Sequence, residues 1–417
     1  VMAVLGNLGT VRQIVEGYQS IASGGAALAD AGLGQKIAWT FQGFVQFLKG
    51  TPMPFYPGDW YWYSSRVIPG DAITEFPYFT FLYADLHAHL LAFPITVMAI
   101  SWCLSVVLGT ARWGENGRYR ILATIMGFLL GGLVIGALRP TNTWDFYTYL
   151  VLSAVALFYT VVRNYRPRLK WDAPRAGLIE KVAVALAAVL VLAGVAILLY
   201  QPFADWYGQG YTSVALWTGD RTPLNSYLTH WGLFLFLIVS WMGWETYHWM
   251  KTTPQSELRK LQPHMTWIYA VMILFLILLV AFLILGVTAA VVIVPLGLWV
   301  IVLMAKPGQS DGRRFMLFLI GSALTLTLAA EMIYLPGDIG RMNTVFKLYL
   351  QAWIMFGLSA GVCFIWTIQS LRYWRPRLDL LWQVICFILV TSAALFPVLA
   401  TADKIDDRMA TDAPHTL

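Results

Sequence analysis

The sequence has few charged residues for a protein of its length. Only 12% of its 417 residues are charged, whereas 59% are hydrophobic and the mean hydropathy is +0.65. A soluble domain carries about 25% charged residues, so this chain has too few polar side chains to cover a water-facing surface. The composition excludes a string of soluble domains and predicts an all-α, polytopic transmembrane protein.

Cysteine is also scarce, and recognisable nucleotide-binding motifs are missing. The three cysteines, Cys103, Cys363 and Cys386, lie in apolar runs without the spacing of a metal site or a disulfide framework. We interpret them as small buried hydrophobic residues. The sequence has neither a Walker loop nor a GxGxxG turn that opens a helix, so nothing in it supports nucleotide-driven chemistry.

Long apolar runs predict ten membrane spans. A span needs about 20 apolar residues to cross the hydrocarbon core. Runs of roughly that length lie at 90–110, 121–138, 147–163, 180–200, 230–249, 315–334, 346–370 and 381–400. The apolar run 267–305 is nearly twice as long as one span requires. We therefore predict two spans there, folded back near Gly286.

The basic residues follow this topology. Most of the 28 lysines and arginines lie in loops near 112–120, 163–181, 251–260, 306–314 and 372–377, which are alternate connections of the ten-span arrangement. By the positive-inside rule those loops face the cytoplasm. The basic excess is therefore explained by topology, and no nucleic-acid partner is predicted. We expect a cytoplasmic (inner) membrane protein whose functional face is extracytoplasmic.

Residues 1–400 are predicted to form a single transmembrane domain, followed by an acidic extracytoplasmic tail at 401–417. Residues 1–5 resemble the end of a truncated apolar helix, and 1–89 is expected to be an extracytoplasmic segment. Within it, residues 35–49 place apolar side chains on one helical face and polar ones on another. This pattern predicts a helix lying in the membrane interface. The aromatic run at 55–63 is typical of an interfacial belt, or of stacking against a sugar or prenyl chain.

Asp85, His87 and His89 form the first cluster of ionisable residues. They alternate along the chain, so an extended segment would point all three side chains to the same side. Three interpretations remain open. The residues cap a helix, act as an acid/base group or phosphate contact, or hold a divalent metal ion as a cofactor. We take them as catalytic candidates.

Arg139, Asn142 and Asp145 form the second cluster, between the second and third predicted spans. They give either a plain turn with Arg139 paired to Asp145, or a rigid fork of donors for phosphate or carboxylate.

The third cluster surrounds a short loop between two predicted spans. Its members are Glu331, Asp338, Arg341, Asn343 and Lys347. Gly337 and Gly340 allow a tight turn there, and Arg341 and Lys347 stand at the start of the next helix, where the dipole favours an anion. Glu331 lies inside the preceding span and needs a partner, for which we expect an arginine. The alternatives are a structural ion-pair cluster and an anion-binding site.

Four motifs resemble a known family. They are DWYWYSSRVI (59–68), FPYFTFLYADLHAHLLAFP (76–94), RPTNTWDFYTY (139–149) and DIGRMNTVFKLYLQAW (338–353). They look like motifs of the YYY membrane proteins, a bacterial and archaeal family of unknown function, and the likeness covers about residues 1–400. That family is more remotely similar to GT-C glycosyltransferases, which take sugars from polyprenyl phosphates on the extracytoplasmic side.

The resemblance implies a membrane glycosyltransferase with a polyprenyl-phosphate partner in addition to membrane lipids. Arg139, Arg341 and Lys347 would hold the phosphate, and Asp85 with His87 or His89 would act at the reacting centre. The family's Tyr-Tyr-Tyr motif lies in spans upstream of this sequence, so the catalytic base is expected there or on a companion polypeptide. The alternatives are a non-catalytic subunit of a larger complex and, less favoured, a lipid or solute transporter.

Overall fold

The computed structural model describes residues 3–24, 28–70, 72–84, 86–109, 120–165, 177–208, 213–337 and 339–409. The sixteen α-helices of these residues are α1 (Gly9–Ser23), α2 (Leu33–Leu48), α3 (Asp59–Trp62), α4 (Pro77–Tyr83), α5 (Ala88–Leu108), α6 (Arg120–Thr141), α7 (Thr143–Asn164), α8 (Leu178–Leu198), α9 (Gln201–Trp206), α10 (Leu224–Thr252), α11 (Gln255–Arg259), α12 (Met265–Ile284), α13 (Ala290–Ala305), α14 (Asp311–Met332), α15 (Arg341–Leu371) and α16 (Pro376–Arg408). Two short strands, β1 (Ala215–Leu216) and β2 (Ile333–Tyr334), pair antiparallel.

The prediction of an all-α polytopic membrane protein is confirmed. Within the described ranges, nine helices are long and apolar enough to cross a membrane, and α13 is a shorter apolar helix. The long apolar run breaks at the predicted place, because α12 ends at Ile284 and Gly286 adopts a positive φ of 79°. The last helix, α16, extends to Arg408, past the predicted start of the tail.

The chain forms two compact units. The first contains residues 1–84, 213–299 and 323–417, and the second contains residues 85–212 and 300–322. In the second unit α5, α6, α7 and α8 pack against one another. Glycines permit the close approach of these helices, since a Cβ on Gly131 would lie 2.5 Å from the ring of Trp102. Small residues at helix interfaces are a common feature of membrane proteins.

The first unit is built around α10 and α15, which pack along each other. Its core is strongly aromatic: Trp353 of α15 stacks on Phe76 at 5.1 Å between ring centroids and contacts Phe234 of α10 at 4.7 Å. Tyr61, from the aromatic run at 55–63, is fully buried and stacks on Phe79 at 4.2 Å. This residue therefore belongs to the core, whereas Tyr56 of the same run is 82% exposed.

The N-terminal segment forms a helical hairpin that the sequence predicts only in part. Of the expected helix end at 1–5, the described residues 3–5 form a turn and an irregular segment before α1. The amphipathic stretch at 35–49 is helical as α2, and its apolar face, including Phe41 and Leu48, is exposed. Gly43 of α2 packs directly on α1, because a Cβ there would lie 1.8 Å from the carbonyl oxygen of Tyr18. The interfacial position of α2 stays a prediction.

Candidate functional site

A buried ion pair joins the end of α14 to the start of α15. Glu331 is the penultimate residue of α14, Arg341 is the first residue of α15, and their side chains are 0% and 8% exposed. Arg341 Nη2 lies 2.8 Å from Glu331 Oε1. The expected arginine partner of Glu331 is therefore present. The intervening turn reverses the chain through Gly337 and Gly340, both of which have positive φ.

The loop before α10 completes the coordination of this carboxylate. Strand β1 pairs with β2 and carries the following residues to the ion pair. The backbone N–H of Thr222 donates to Glu331 Oε2 at 2.9 Å, and the Thr222 hydroxyl donates to Glu331 Oε1. Arg341 Nη2 in turn donates to Thr222 Oγ1 at 3.0 Å. Both carboxylate oxygens thus have hydrogen-bond donors, as a buried charge requires.

Arg341 is held on its other sides as well. Its Nη1 donates to the carbonyl oxygen of Asp220 at 2.9 Å, and its guanidinium lies 5.5 Å from the ring centroid of Trp217. Trp217 is itself positioned by Tyr334 of β2, with ring centroids 5.5 Å apart. Arg341 is therefore a positioned, largely neutralised cation in this structure.

A second guanidinium lies beside this pair. Arg221 is partly exposed and donates through Nη1 to the backbone carbonyl of Glu331. Burial lowers the pKa of Arg221, an effect that the Glu331 carboxylate opposes and the like charge of Arg341 reinforces. Arg221 nevertheless remains protonated, because a guanidinium is not deprotonated in proteins. The Glu331 carboxylate neutralises one of these two guanidinium groups, and the neighbouring Asp220 adds a second carboxylate to the same loop.

Three further residues belong to the third cluster that the sequence predicts: Asp338, Asn343 and Lys347. Asn343 and Lys347 are half-buried on α15, in the same unit as Arg341. Asp338 lies outside the described residues.

The first predicted cluster has a different geometry from the expected one. The extended conformation ends at His87, because α5 begins at Ala88 and His89 is already helical. An extended segment that includes His89 is therefore not present, although the two imidazole rings are 5.4 Å apart. Asp85 lies outside the described residues. Across the part of the chain that is described, no three His, Cys, Asp or Glu side chains form a group that can hold a metal ion.

The second predicted cluster lies where α6 ends and α7 begins. Arg139 is in the last turn of α6, Asn142 is the single residue between the helices, and Asp145 is buried in the first turn of α7. The turn is closed by backbone bonds, from the N–H of Asn142 to Leu138 at 2.8 Å and from the N–H of Asp145 to Asn142 at 3.0 Å. This cluster belongs to the second unit, and the Glu331–Arg341 pair to the first.

A further carboxylate was missed by sequence reasoning. Glu16 of α1 accepts from Arg12 Nε at 2.8 Å and from the hydroxyl of Tyr63, and its side chain remains 35% exposed. Arg12 also donates to Ser226 Oγ at 3.2 Å, which ties α1 to the start of α10. The only sequence signal was an arginine–glutamate pair four residues apart in a segment otherwise poor in charge.

Burial raises the pKa of the Tyr63 phenol, and its hydrogen bond and proximity to the Glu16 carboxylate raise it further. Tyr63 therefore stays a hydrogen-bond donor. With Arg12 on one oxygen and Tyr63 on the other, Glu16 is an oriented carboxylate with part of its surface open to solvent. Such a group can bind a hydroxyl or accept its proton.

Comparison with known proteins identifies a family and no characterised relative. A family of uncharacterized membrane proteins, DUF2298, matches residues 1–356. No curated protein matches the chain, and no solved structure matches it. The match supports the predicted membrane family of unknown function, while the Tyr-Tyr-Tyr motif and the similarity to GT-C enzymes stay predictions.

Proposed function

We propose that this chain, which belongs to the DUF2298 family of uncharacterized membrane proteins, is a GT-C-like glycosyltransferase. Its donor is a polyprenyl-phosphate-linked sugar, bound at the extracytoplasmic face of the cytoplasmic membrane. The observation that carries the proposal is the arrangement of Arg221 and Arg341 around a single buried carboxylate, Glu331. Two guanidinium groups beside the ends of two membrane-spanning helices, of which that of Arg221 is partly exposed, favour an anionic ligand.

The two arginines have different roles in this proposal. Arg341 already donates hydrogen bonds to Glu331 and Thr222, so it fixes the loop and supplies part of the positive electrostatic potential there. Arg221 is more exposed and donates to a backbone carbonyl, so its remaining N–H groups are better suited to contact a phosphate. The phosphate-binding role predicted for Arg341 is therefore shared with, and mainly assigned to, Arg221.

The proposed step is a displacement at the anomeric carbon of the donor sugar. A hydroxyl of the acceptor attacks that carbon, a new glycosidic bond forms, and the bond to the phosphate oxygen breaks. The polyprenyl phosphate leaves with the electron pair, and the arginines stabilise its growing charge. The proton of the acceptor hydroxyl passes to a carboxylate.

Glu16 is the described carboxylate best suited to accept that proton. It is oriented by Arg12 and Tyr63 and keeps solvent access. Asp85, with His87 and His89, remains the alternative that the sequence predicts. Arg139, Asn142 and Asp145 remain predicted phosphate or substrate contacts of the second unit.

Binding to nanodisc-embedded protein tests the proposal, with native mass spectrometry as the readout. The probes are a polyprenyl phosphate and the matching uncharged polyprenol. We expect selective binding of the phosphate, weakened about 10- to 100-fold in Arg221→Gln, as for the loss of one charge-assisted hydrogen bond. Arg66→Gln is the matched control, because Arg66 is also a partly buried arginine of the first unit and pairs with Glu75 at 3.6 Å.

A second readout addresses the transfer reaction. The polyprenyl-phosphate-linked sugar is incubated with the protein, and release or transfer of the sugar is followed by chromatography. Equal binding of phosphate and polyprenol, or equal effects of Arg221→Gln and Arg66→Gln, would overturn the assignment of the anion site. A fixed set of co-purifying chains without sugar release would favour the non-catalytic subunit instead.

A further inference from the structure

A cluster of charged residues lies in the second unit and joins the end of α7 to the start of α14. Three side chains of this cluster contact the same oxygen atom, Asp311 Oδ1. The Tyr159 hydroxyl donates to this oxygen at 2.7 Å, Arg163 Nε lies 3.2 Å from it, and Arg314 Nη1 lies 3.9 Å from it. The two guanidinium groups are therefore neighbours that share one carboxylate.

Arg314 is held in place on all sides within this cluster. Its Nε donates to the carbonyl oxygen of Met304 at 3.2 Å, its Nη2 to that of Lys306 at 3.3 Å, and its Nη1 to the hydroxyl oxygen of Tyr159 at 3.3 Å. Each nitrogen of this guanidinium thus has an acceptor, and the side chain is only 17% exposed. Arg314 is therefore a fixed cation at this site.

Arg163 is the more accessible of the two arginines, since its side chain is 43% exposed. Its guanidinium lies 5.8 Å from the ring centroid of Tyr159, which is one turn earlier on the same helix. It contacts Asp311 through Nε. An arginine has five N–H donors in a rigid fork, so a contact at Nε leaves donors for a second anion.

The charged residues around the cluster are mainly basic. The two segments that form it, 159–165 and 304–314, contain four basic residues and one acidic residue, which are Arg163, Lys306, Arg313, Arg314 and Asp311. Glu180 of α8 adds a carboxylate beside the first segment, because it accepts from the Tyr165 hydroxyl at 3.4 Å, and Lys181 follows it directly. The cluster therefore favours an anionic ligand over a cationic one.

The cluster lies where two helices of membrane-spanning length end. Arg163 is the penultimate residue of α7 and Asp311 is the first residue of α14, and both helices are long and apolar enough to cross a membrane. Side chains at the ends of such helices lie at the level of the lipid headgroups. The row of residues that leads along α7 to Arg163 in steps of four begins with Tyr147, Val151 and Val155, which are all exposed. An acyl chain can lie along this apolar row.

We propose that Arg163, supported by Arg314, binds the phosphate of an anionic phospholipid. The phosphate accepts hydrogen bonds from Arg163, the charge of Arg314 stabilises it, and an acyl chain lies along the exposed row of α7. The sequence predicts that the loops near 163–181 and 306–314 face the cytoplasm, so the lipid comes from the cytoplasmic leaflet. Basic pockets between helices on that side of a membrane suit anionic headgroups. This site is independent of the proposed glycosyltransferase activity.

Native mass spectrometry of the protein in neutral detergent tests the proposal. The probes are phosphatidylglycerol, phosphatidylcholine with the same acyl chains, and soluble glycerol phosphate. We expect phosphatidylglycerol to bind most tightly, and Arg163→Gln to weaken its binding about 10-fold, as for the loss of one charge-assisted hydrogen bond. Arg372→Gln is the matched control and should bind like wild-type protein. Arg372 is also an exposed arginine at the end of a membrane-spanning helix, 4.7 Å from the ring centroid of Tyr373.

A phosphatidylglycerol with a photoactivatable group in its acyl chain gives a second readout. We expect it to label α7 in wild-type protein and in Arg372→Gln, and to label α7 less in Arg163→Gln. Arg163→Lys keeps the charge and should retain more binding than Arg163→Gln. Equal binding of the two phospholipids, equally tight binding of glycerol phosphate, or equal losses in Arg163→Gln and Arg372→Gln would overturn the proposal. Labelling of α7 that does not depend on Arg163 would overturn it as well.

Discussion

Glu331 and Arg341 form an ion pair of 2.8 Å in which the carboxylate is completely buried. The two residues stand on either side of the turn between α14 and α15, so their pairing fixes how one helix follows the other. Removing two charges from water is costly, and the arrangement is stable only because each group is matched by the other and by hydrogen bonds from Thr222.

Arg341→Ala is therefore expected to lower the free energy of unfolding by about 3–5 kcal/mol, because it removes the guanidinium that pairs directly with the buried Glu331 carboxylate. The double variant Glu331→Gln with Arg341→Met removes both charges at similar volume and should recover most of the loss. Chemical denaturation in detergent measures both. If the double variant is as unstable as Arg341→Ala, the instability does not come from an unpaired charge.

Gly43→Ala should separate the N-terminal hairpin. A Cβ at this position would lie 1.8 Å from the carbonyl oxygen of Tyr18, so α1 and α2 must move apart. Gly34 is in the same helix, and a Cβ there has no heavy atom within 4 Å. Gly34→Ala should be neutral or stabilising by about 0.5–1 kcal/mol.

Spin labels on the exposed faces of α1 and α2 report the separation of the hairpin. We expect a longer distance in Gly43→Ala than in wild-type protein, and an unchanged distance in Gly34→Ala. Unchanged distances in both variants would show that the close approach at Gly43 is not required.

Much of this fold is predictable from sequence because the bilayer constrains it strongly. The break at Gly286, the amphipathic α2 and the arginine partner of Glu331 follow from span length, periodicity and the cost of a buried charge. The identity of that partner among several cations required the structure. The sequence also placed the start of the first span at residue 90, whereas α5 begins at Ala88 and includes His89.

The site residues that were missed have long-range partners. Thr222 reaches Glu331 only because β1 pairs with β2, across more than a hundred residues of sequence. Glu16 becomes an oriented carboxylate only when Tyr63 folds back onto α1. Neither contact leaves a periodic pattern or a motif. Local spacing along the sequence therefore identifies the Glu331–Arg341 pair on adjacent helices. It does not identify Thr222, which completes the hydrogen bonding of that pair.

Alkaline pH should weaken the packing of Tyr63 against α1. The pKa of Tyr63 is raised in the folded state, first by burial and then by Glu16. A raised pKa means that the folded state favours the protonated phenol. The stability that this phenol contributes is therefore fully present below the unfolded-state pKa of about 10. It is lost as the pH rises above that value.

The unfolding midpoint of wild-type protein should accordingly fall more steeply than that of Tyr63→Phe between about pH 9.5 and 11. The variant retains the ring and lacks the titrating hydroxyl, so other tyrosines affect both proteins equally. Parallel curves would mean that the Tyr63 phenol has the same pKa in both states.

Glu16→Gln should lower sugar transfer at least about 100-fold, as expected for the loss of a general base. Binding of the polyprenyl phosphate should remain, since Glu16 contacts Arg12 and Tyr63 and is assigned no contact with the phosphate. Glu257→Gln serves as the control, because Glu257 is an exposed glutamate that also pairs with a cation, Lys260, at 2.6 Å. Transfer rates and donor binding are measured on the same preparations, which separates catalysis from affinity. Full activity in Glu16→Gln would return the role of the base to Asp85 and leave Glu16 as a structural partner of Arg12.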